Sequence, residues 1–433
     1  MKLFIAAAAL SLALLSIAAH PSDAPTGFDD KSNGMVDDAT HQADQAKFDE
    51  VEQLADGLGP LYNAQSCREC HQNPVSGGGS QVTELRVGHN GPDHRFRTPD
   101  VPIAHGAETI TGRSLINDRA ICPNASFSDK EIQERVTQTE NIRTLRLSLS
   151  ILGDGFVEAV ADQTFLDLSK QQCKATKGKI CGQVLYVPIV EAPGKMAVGR
   201  FGWKDQHASL LSFAADAYLN EMGITSRLQP NEFTNICNSA SEPNDKPGPD
   251  GLFDIDRFAR FIRASKAPAR DAQLASTPTA HSGLALFHKI GCATCHVETL
   301  TTAPAGTKIN GETFVIPPAL GSVTFYPYSD FLMHNVGTGD GILQATPEHY
   351  GRRVFQQMSD YLAKQNYERS RNKIRTAPLW GVRLRPRLMH DGESLTLLEA
   401  ISRHQGEAEH VTRAFNKLKH ADQDAILEFL KSL

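Results

Sequence analysis

The sequence predicts a mainly α fold with small β excursions, laid out as two unequal copies of one plan. Three observations predict it. The pentapeptide Cys-x-x-Cys-His occurs twice, at Cys67-Arg68-Glu69-Cys70-His71 and at Cys292-Ala293-Thr294-Cys295-His296. Each is followed by an Arg-Thr-x-x-Leu segment at a similar offset: Arg143 lies 72 residues after His71, and Arg375 lies 79 residues after His296. Each copy then closes on an amphipathic helix, with Ile255, Phe258, Ala259 and Ile262 on one face of the first and Ile426, Leu427, Phe429, Leu430 and Leu433 on one face of the second.

Taken in chain order, Lys2, the apolar run Leu3 to Leu15 and the small residues of Ser16-Ile17-Ala18 read as a secretory signal peptide over residues 1–19. No cysteine follows that run, so a lipid anchor is not expected, and no later segment approaches the ~20 apolar residues of a membrane span. The reading is a periplasmic protein that is not membrane-embedded. The first copy occupies residues 20–268 and carries an insertion at about 162–250, with a Lys-rich stretch between Cys173 and Cys181 and a Pro/Gly/Asp-rich surface loop from Glu242 to Gly251. The boundary falls in the polar, Ala- and Pro-containing stretch 265–279, and the second copy runs over 276–433. Short helices are expected at Phe156 to Val160 and at Leu397 to Ile401, the latter opened by a capping box of Thr396 and Glu399. Asp422 is expected to cap the last helix, and Val184 to Val187 reads as a strand. With 433 residues, 40% hydrophobic and 22% charged, the chain is long enough for one large or two medium domains. A net charge of −6 without a basic stripe excludes a nucleic-acid partner.

The repeated pentapeptide carries the chemistry. Covalent attachment of haem needs two thiols to form thioethers with the vinyl groups and an imidazole that reaches the iron, and Cys-x-x-Cys-His supplies all three within about one helical turn. A zinc site would want four ligands together, whereas the two motifs stand more than 200 residues apart. Cys67, Cys70, Cys292 and Cys295 are therefore expected to hold two haems c, with His71 and His296 as proximal iron ligands.

The distal ligands decide the reaction, because a strong sixth ligand makes an electron-transfer haem and an open position admits peroxide or oxygen. For the second haem the candidates are His390, then Met389, then His334; each also fits a buried hydrogen-bonding histidine or a core methionine. For the first haem, His89 and His94 sit in what reads as a polar loop, and no methionine lies between His71 and Met196. That favours an open iron, which would need a distal acid–base group, with Glu84, His89, Glu108 and Gln81 as candidates. Trp203 and Trp380, the two tryptophans, are candidates for a position between the haems or for plain packing. Of the four remaining cysteines, three pairings are open in an oxidising compartment; Cys173 with Cys181 is favoured as a local bridge, leaving Cys122 with Cys237.

These residues resemble a family. Gly57 to Ala64 ahead of Ser66-Cys67, Gly199 to Lys204, Asn220 to Ser226, Arg375 to Gly381, His390-Asp391-Gly392 and Glu399-Ala400-Ile401 are similar to the bacterial di-haem oxidoreductase (peroxidase) family over nearly the whole mature chain. More distantly, Ser329-Asp330, His334 to Gly337 and His390 to Gly392 resemble the di-haem cytochrome c peroxidases. The resemblance implies two cytochrome-c-like helical domains with their haems near each other, electron entry at the C-terminal haem from a small redox protein or cytochrome, and peroxide chemistry at the N-terminal one. It also allows a calcium ion between the domains, for which the sequence holds no clear loop. Two segments depart from the family: its usual Arg-Thr-Pro-Pro-Leu is Arg143-Thr144-Leu145-Arg146-Leu147 here, and its usual His-Asp-Met-Gly is His334-Asn335-Val336-Gly337. The leading expectation is a peroxidase-type enzyme. The alternative is a non-catalytic di-haem electron-transfer cytochrome linked to iron uptake, and a third reading is an oxygenase or protein-modifying oxidase.

Overall fold

The computed structural model describes residues 22–123, 126–238, 241–343 and 367–433. The expected leader, residues 1–19, lies outside them. Helix makes up about one third of the chain and the sheets are small.

Three helices build the N-terminal helical layer. Asp38–Asp49 starts at the Asp37 cap, whose carboxylate accepts from the Thr40 amide at 2.8 Å. Leu210–Met222 is capped by Ser209 and ended by Gly223. Asp254–Ala264 is the amphipathic helix expected from Ile255, Phe258, Ala259 and Ile262, all buried. It packs on the first helix through Phe48, Phe258 and Phe261 and through Arg260, which forks onto Asp44 at 2.6 and 2.7 Å. The short helix Asp154–Glu158 lies tight against it, because a Cβ on Gly155 would stand 2.3 Å from the Arg263 carbonyl.

In the C-terminal half, Pro278–Ile290 begins at Thr277 with proline in its first turn and stops at Gly291, whose φ of 102° turns the chain out directly before Cys292. His420–Lys431 crosses it so closely that a Cβ on Gly283 would meet the Ala425 carbonyl at 1.9 Å. This last helix starts at Lys419, not at Asp422; Asp422 falls in its first turn, where its charge still complements the helix dipole. The Thr396–Glu399 capping box forms as expected and opens Leu397–Ser402.

The β content exceeds the expectation in one place. Thr83–Asn90 is the central strand of a four-stranded sheet, antiparallel to Ile142–Leu147 with Glu84 opposite Arg146, and flanked by Leu115–Ile116 and Phe96–Arg97. His89 therefore lies in a strand, not in a polar loop; the alternation of Leu85 and Val87 carries the strand on past Gly88. The expected strand at Val184 to Val187 appears two residues later, at Tyr186–Pro188.

The two halves share one core. Phe48, Phe156 and Phe258 belong to the same buried cluster as Phe325, Phe331 and Trp380. Backbone pairing also crosses between them: Ser22–Asp23 runs parallel to Val323–Thr324, Gln183 bridges Met333, and the Leu147 amide donates to the His390 carbonyl at 2.7 Å. The stretch expected as a boundary is pinned, with Ser265 and Ala267 buried. Disulfides join Cys122 to Cys237 and Cys173 to Cys181.

Candidate functional site

Each Cys-x-x-Cys-His motif forms a single tight turn. Ser66 caps Cys67–Cys70, and the His71 amide closes the turn on the Cys67 carbonyl at 3.0 Å. Cys292–Thr294 is a 3-10 turn, and the His296 amide likewise bonds the Cys292 carbonyl at 3.1 Å. Burial pushes the Cys70 and Cys292 thiols up to about 12 and raises Cys67 and Cys295 as well. Such buried thiols are suited to thioether formation. Cys295, Asp330 and His334 do converge among the described residues. Yet both His334 nitrogens are already taken, Nε2 by Asp330 at 2.9 Å and Nδ1 by Glu407 at 3.0 Å. Although burial alone would lower its pKa, Asp330 raises it well above the ordinary value, and with both nitrogens engaged His334 offers no lone pair to an iron in this arrangement.

Both proximal candidates are neutral and aimed. Burial lowers the pKa of His71, and its Nδ1 lies 3.4 Å from the Ser148 hydroxyl. Burial and the nearby His404 bring His296 down to about 4, and its Nδ1 donates to the Tyr328 carbonyl at 2.9 Å, which leaves Nε2 as the free lone pair.

A long, largely apolar cleft with about 1800 Å³ of empty space, its open mouth included, connects the two neighbourhoods. Asn73, Pro74 and Ser148, which follow or touch the first motif, line one part; Cys292, Cys295 and His296 line another; Trp203, Trp380, Met389 and His390 lie in its wall. Trp203 donates its indole N–H to the Leu147 carbonyl at 2.7 Å and meets the His390 ring edge-on at 6.1 Å. Met389 occupies a left-handed turn with φ of 67°. His390 is buried, burial lowers its pKa, and its Nδ1 has no hydrogen-bond partner among the described residues. Trp380 Nε1 is likewise unpartnered.

The residues present fit haem. Around the second motif the apolar cleft wall, the buried thiols Cys292 and Cys295 and the free His296 Nε2 suit the macrocycle and its iron. Arg375, Arg385 and Arg387 line the same cleft, and burial draws Arg385 down to about 10, so its guanidinium is short of compensating charge where haem would bring two carboxylates.

The acid–base candidates separate. Glu108 accepts from Thr234 and from the Asn235 amide at 3.2 Å, fixing the turn that leads to Cys237. His89 is tied through Nδ1 to Glu140 at 2.9 Å, Gln81 is exposed, and His94 sits in a turn with φ of 59°. Glu84 is the one beside the haem motif: its charge and that of Glu221 both raise the Cys70 thiol, after burial. Arg86 donates to Glu84 at 2.7 Å, and Asn63 donates to Glu221 at 2.9 Å. Burial, then the Glu84 charge, raises Glu221, while Arg86 outweighs burial and holds Glu84 below the usual range. One proton is thus shared between two carboxyls, carried on Glu221 and donated to Glu84.

Two site residues escape sequence reasoning. Glu221 sits in a helix whose buried face only the tertiary structure reveals. His404 lies in the polar run Ser402-Arg403-His404-Gln405, and its one local signal is its place one turn after Ala400, whose carbonyl its Nδ1 contacts at 2.7 Å.

The second motif opens directly on this apolar cleft and the first adjoins it through Asn73, Pro74 and Ser148, an arrangement suited to a redox protein. The chain belongs to the family described as "Di-haem oxidoreductase, putative peroxidase", which it matches over residues 118–433. It is accordingly an oxidoreductase enzyme, and membership implies two haem groups. No curated protein matches the chain. Among solved structures it is similar to hydrazine synthase of Kuenenia stuttgartiensis, at 13% identity and a TM-score of 0.40 over 99% of this chain and 100% of that one. It is also similar to the Y463M variant of the diheme peroxidase BthA of Burkholderia thailandensis, at 18% identity and a TM-score of 0.25 over 41% of this chain and 49% of that one. Among the described residues no helix is long and apolar enough to cross a membrane.

Proposed function

We propose that this chain is a periplasmic di-haem c-type oxidoreductase of peroxidase type, in which electrons from a small redox protein enter at the haem on His296 and serve a peroxide-reactive haem on His71. Cys67 and Cys70 would hold one haem by thioethers, and Cys292 and Cys295 the other. When bound, haem supplies the iron at which a peroxide O–O bond takes up two electrons and two protons to give water. The single observation that carries the reading is the continuous cleft, lined both by Asn73, Pro74 and Ser148 and by Cys292, Cys295 and His296, with both tryptophans in its wall. The chain's own contribution is to hold and move protons: Glu221 keeps its carboxyl proton and offers it to Glu84, while Arg86 steadies the Glu84 carboxylate. Arg375 and Arg385, which line the cleft, would be available to the haem carboxylates, and the apolar walls would exclude water.

The test is turnover of hydrogen peroxide by the purified holoprotein with an artificial electron donor. Consumption of two electrons per peroxide is expected, with Glu84→Gln slowed by about 10²-fold or more. No turnover with any donor would overturn the enzymatic assignment and favour the electron-carrier alternative. Recovery in the cytoplasmic fraction, with the leader uncleaved, would overturn the location. The acidic hollow of Glu52 and Asp254 is occupied by Lys47, its ammonium 3.6 and 3.1 Å from their carboxylates.

A further inference from the structure

His404 and His296 come together in the cleft. Both line it, and their ring centroids are 6.4 Å apart. A first-row metal sits about 2.0–2.1 Å from each imidazole nitrogen, and that nitrogen lies about 1.1 Å from its ring centre, so two imidazoles sharing one iron hold their centroids about 6.3 Å apart. The observed 6.4 Å matches that separation, with the ring planes inclined at 59°.

The hydrogen bonds agree with the spacing. A carbonyl only accepts, so the contact of His404 Nδ1 with the Ala400 carbonyl at 2.7 Å places the ring proton on Nδ1 and the lone pair on Nε2. His296 is fixed in the same tautomer by the Tyr328 carbonyl at 2.9 Å. Orientation of a ligating imidazole by a backbone carbonyl on its other nitrogen is the usual outer-shell arrangement at metal sites. His404 is also held from behind, because Thr412 donates to its carbonyl at 2.7 Å and Arg403, the preceding residue, is clamped to Asp391. Of the other candidates, His334 is bonded through both nitrogens, and His390, though its Nδ1 is unpartnered among the described residues, has its ring contact with Trp203.

We propose that His404, rather than His390 or Met389, is the sixth ligand of the iron held by His296, making the C-terminal haem a closed, bis-imidazole electron-transfer centre. The inference rests on the haem assignment of the previous subsection but not on peroxide turnover. Such a haem is low-spin, bars peroxide from that iron, and has a lower potential than a methionine-ligated one.

The test is low-temperature EPR and redox titration of the oxidised holoprotein, after confirming two covalent haems per chain. In His404→Gly one of the two haems should change from low-spin to high-spin, and added imidazole should restore it; His404→Met should stay low-spin with a raised potential. His390→Ala should leave that haem low-spin. An unchanged spectrum in His404→Gly, or a high-spin conversion in His390→Ala, overturns the proposal. Should His404→Gly fail to retain haem, the potential of His404→Met decides, with no upward shift counting against the assignment. Peroxide turnover is read separately, so its absence would sink the peroxidase reading while leaving the ligand assignment standing.

Discussion

Replacing Glu158 by glutamine should loosen the whole molecule, because this one carboxylate ties three segments together. It is 1% exposed and accepts from Arg263 Nε at 2.6 Å, Arg263 Nη2 at 2.9 Å, the Leu210 amide at 2.8 Å and Asn310 Nδ2 at 2.9 Å. Leu210 opens a helix of the first half, Arg263 ends another, and Asn310 belongs to the second half. Burial alone would lower the Arg263 pKa, and Glu158 outweighs it. Glutamine keeps the shape and one accepting oxygen but removes the counter-charge, leaving a buried guanidinium over the Phe314 ring at 4.0 Å with no anion. Breaking a buried pair in this way costs about 3–5 kcal/mol, and the retained oxygen places the change near the lower end. At roughly 1 °C per kcal/mol for a unit of about 400 residues, Glu158→Gln should lower the Tm of the holoprotein by about 3–5 °C, followed by circular dichroism. A cycle with Arg263→Leu should return a coupling energy of about 2–3 kcal/mol. A loss below about 1 kcal/mol, or no coupling, would refute the claim that the pair is electrostatically interdependent.

Removing the Cys122–Cys237 bridge, whose cysteines are 115 residues apart, should cost roughly 5 kcal/mol by chain entropy, against roughly 2.5 kcal/mol for Cys173–Cys181 at a separation of 8; urea midpoints of the two double-serine variants give the order. Because Glu221 binds its proton more tightly folded than unfolded, its contribution is fully present at acid pH and is lost as pH rises above the ordinary carboxylate range; Glu221→Gln should flatten that slope in a series of unfolding curves. Lys204 has the opposite sign to the usual lysine: burial brings it down to about 8, so its contribution to stability improves as pH rises between about 8 and 10.5, and Lys204→Met should remove that gain. Trp203→Phe strands the Leu147 carbonyl and should cost about 1 kcal/mol more than Trp380→Phe, whose indole N–H has no partner, as measured by thermal unfolding.

What could be read in the sequence was whatever is local. The Thr396–Glu399 box, the amphipathic face of Ile255 to Ile262 and the tight turn of each Cys-x-x-Cys-His pentapeptide are each written within a few residues. The strand Thr83–Asn90 is not, because its partner Ile142–Leu147 is supplied from far along the chain, and the polar run Gly88-His89-Asn90-Gly91 at its end reads as a loop. The same holds for chemistry. Glu84 could be singled out as a candidate, but the proton it shares belongs to Glu221, brought to it by a separate helix. His404 is surrounded by polar neighbours that read as surface, and only the arrival of His296 across the cleft gives its lone pair a direction.

The departures from the family pattern follow the same logic. Arg146 stands where the relatives' pattern has a proline, and it is fully buried against Asp340 of the other half at 2.8 Å, with Lys204 on the other side of that carboxylate at 3.3 Å. Asp340 lies well below the usual carboxylate range, at about 2, because Arg146 and Lys204 outweigh its burial. An acid held by two cations, one from the strand that follows Glu84 in the sheet and one from the segment carrying Trp203, locks the first half, the insertion and the second half into one arrangement. Together with Glu158 and the shared core, this makes the distance between the two haem motifs a property of the packed interior and not of a linker. Electron transfer between two cofactors depends steeply on that distance, so a buried charge that contributes little net stability still has a use here: it fixes position.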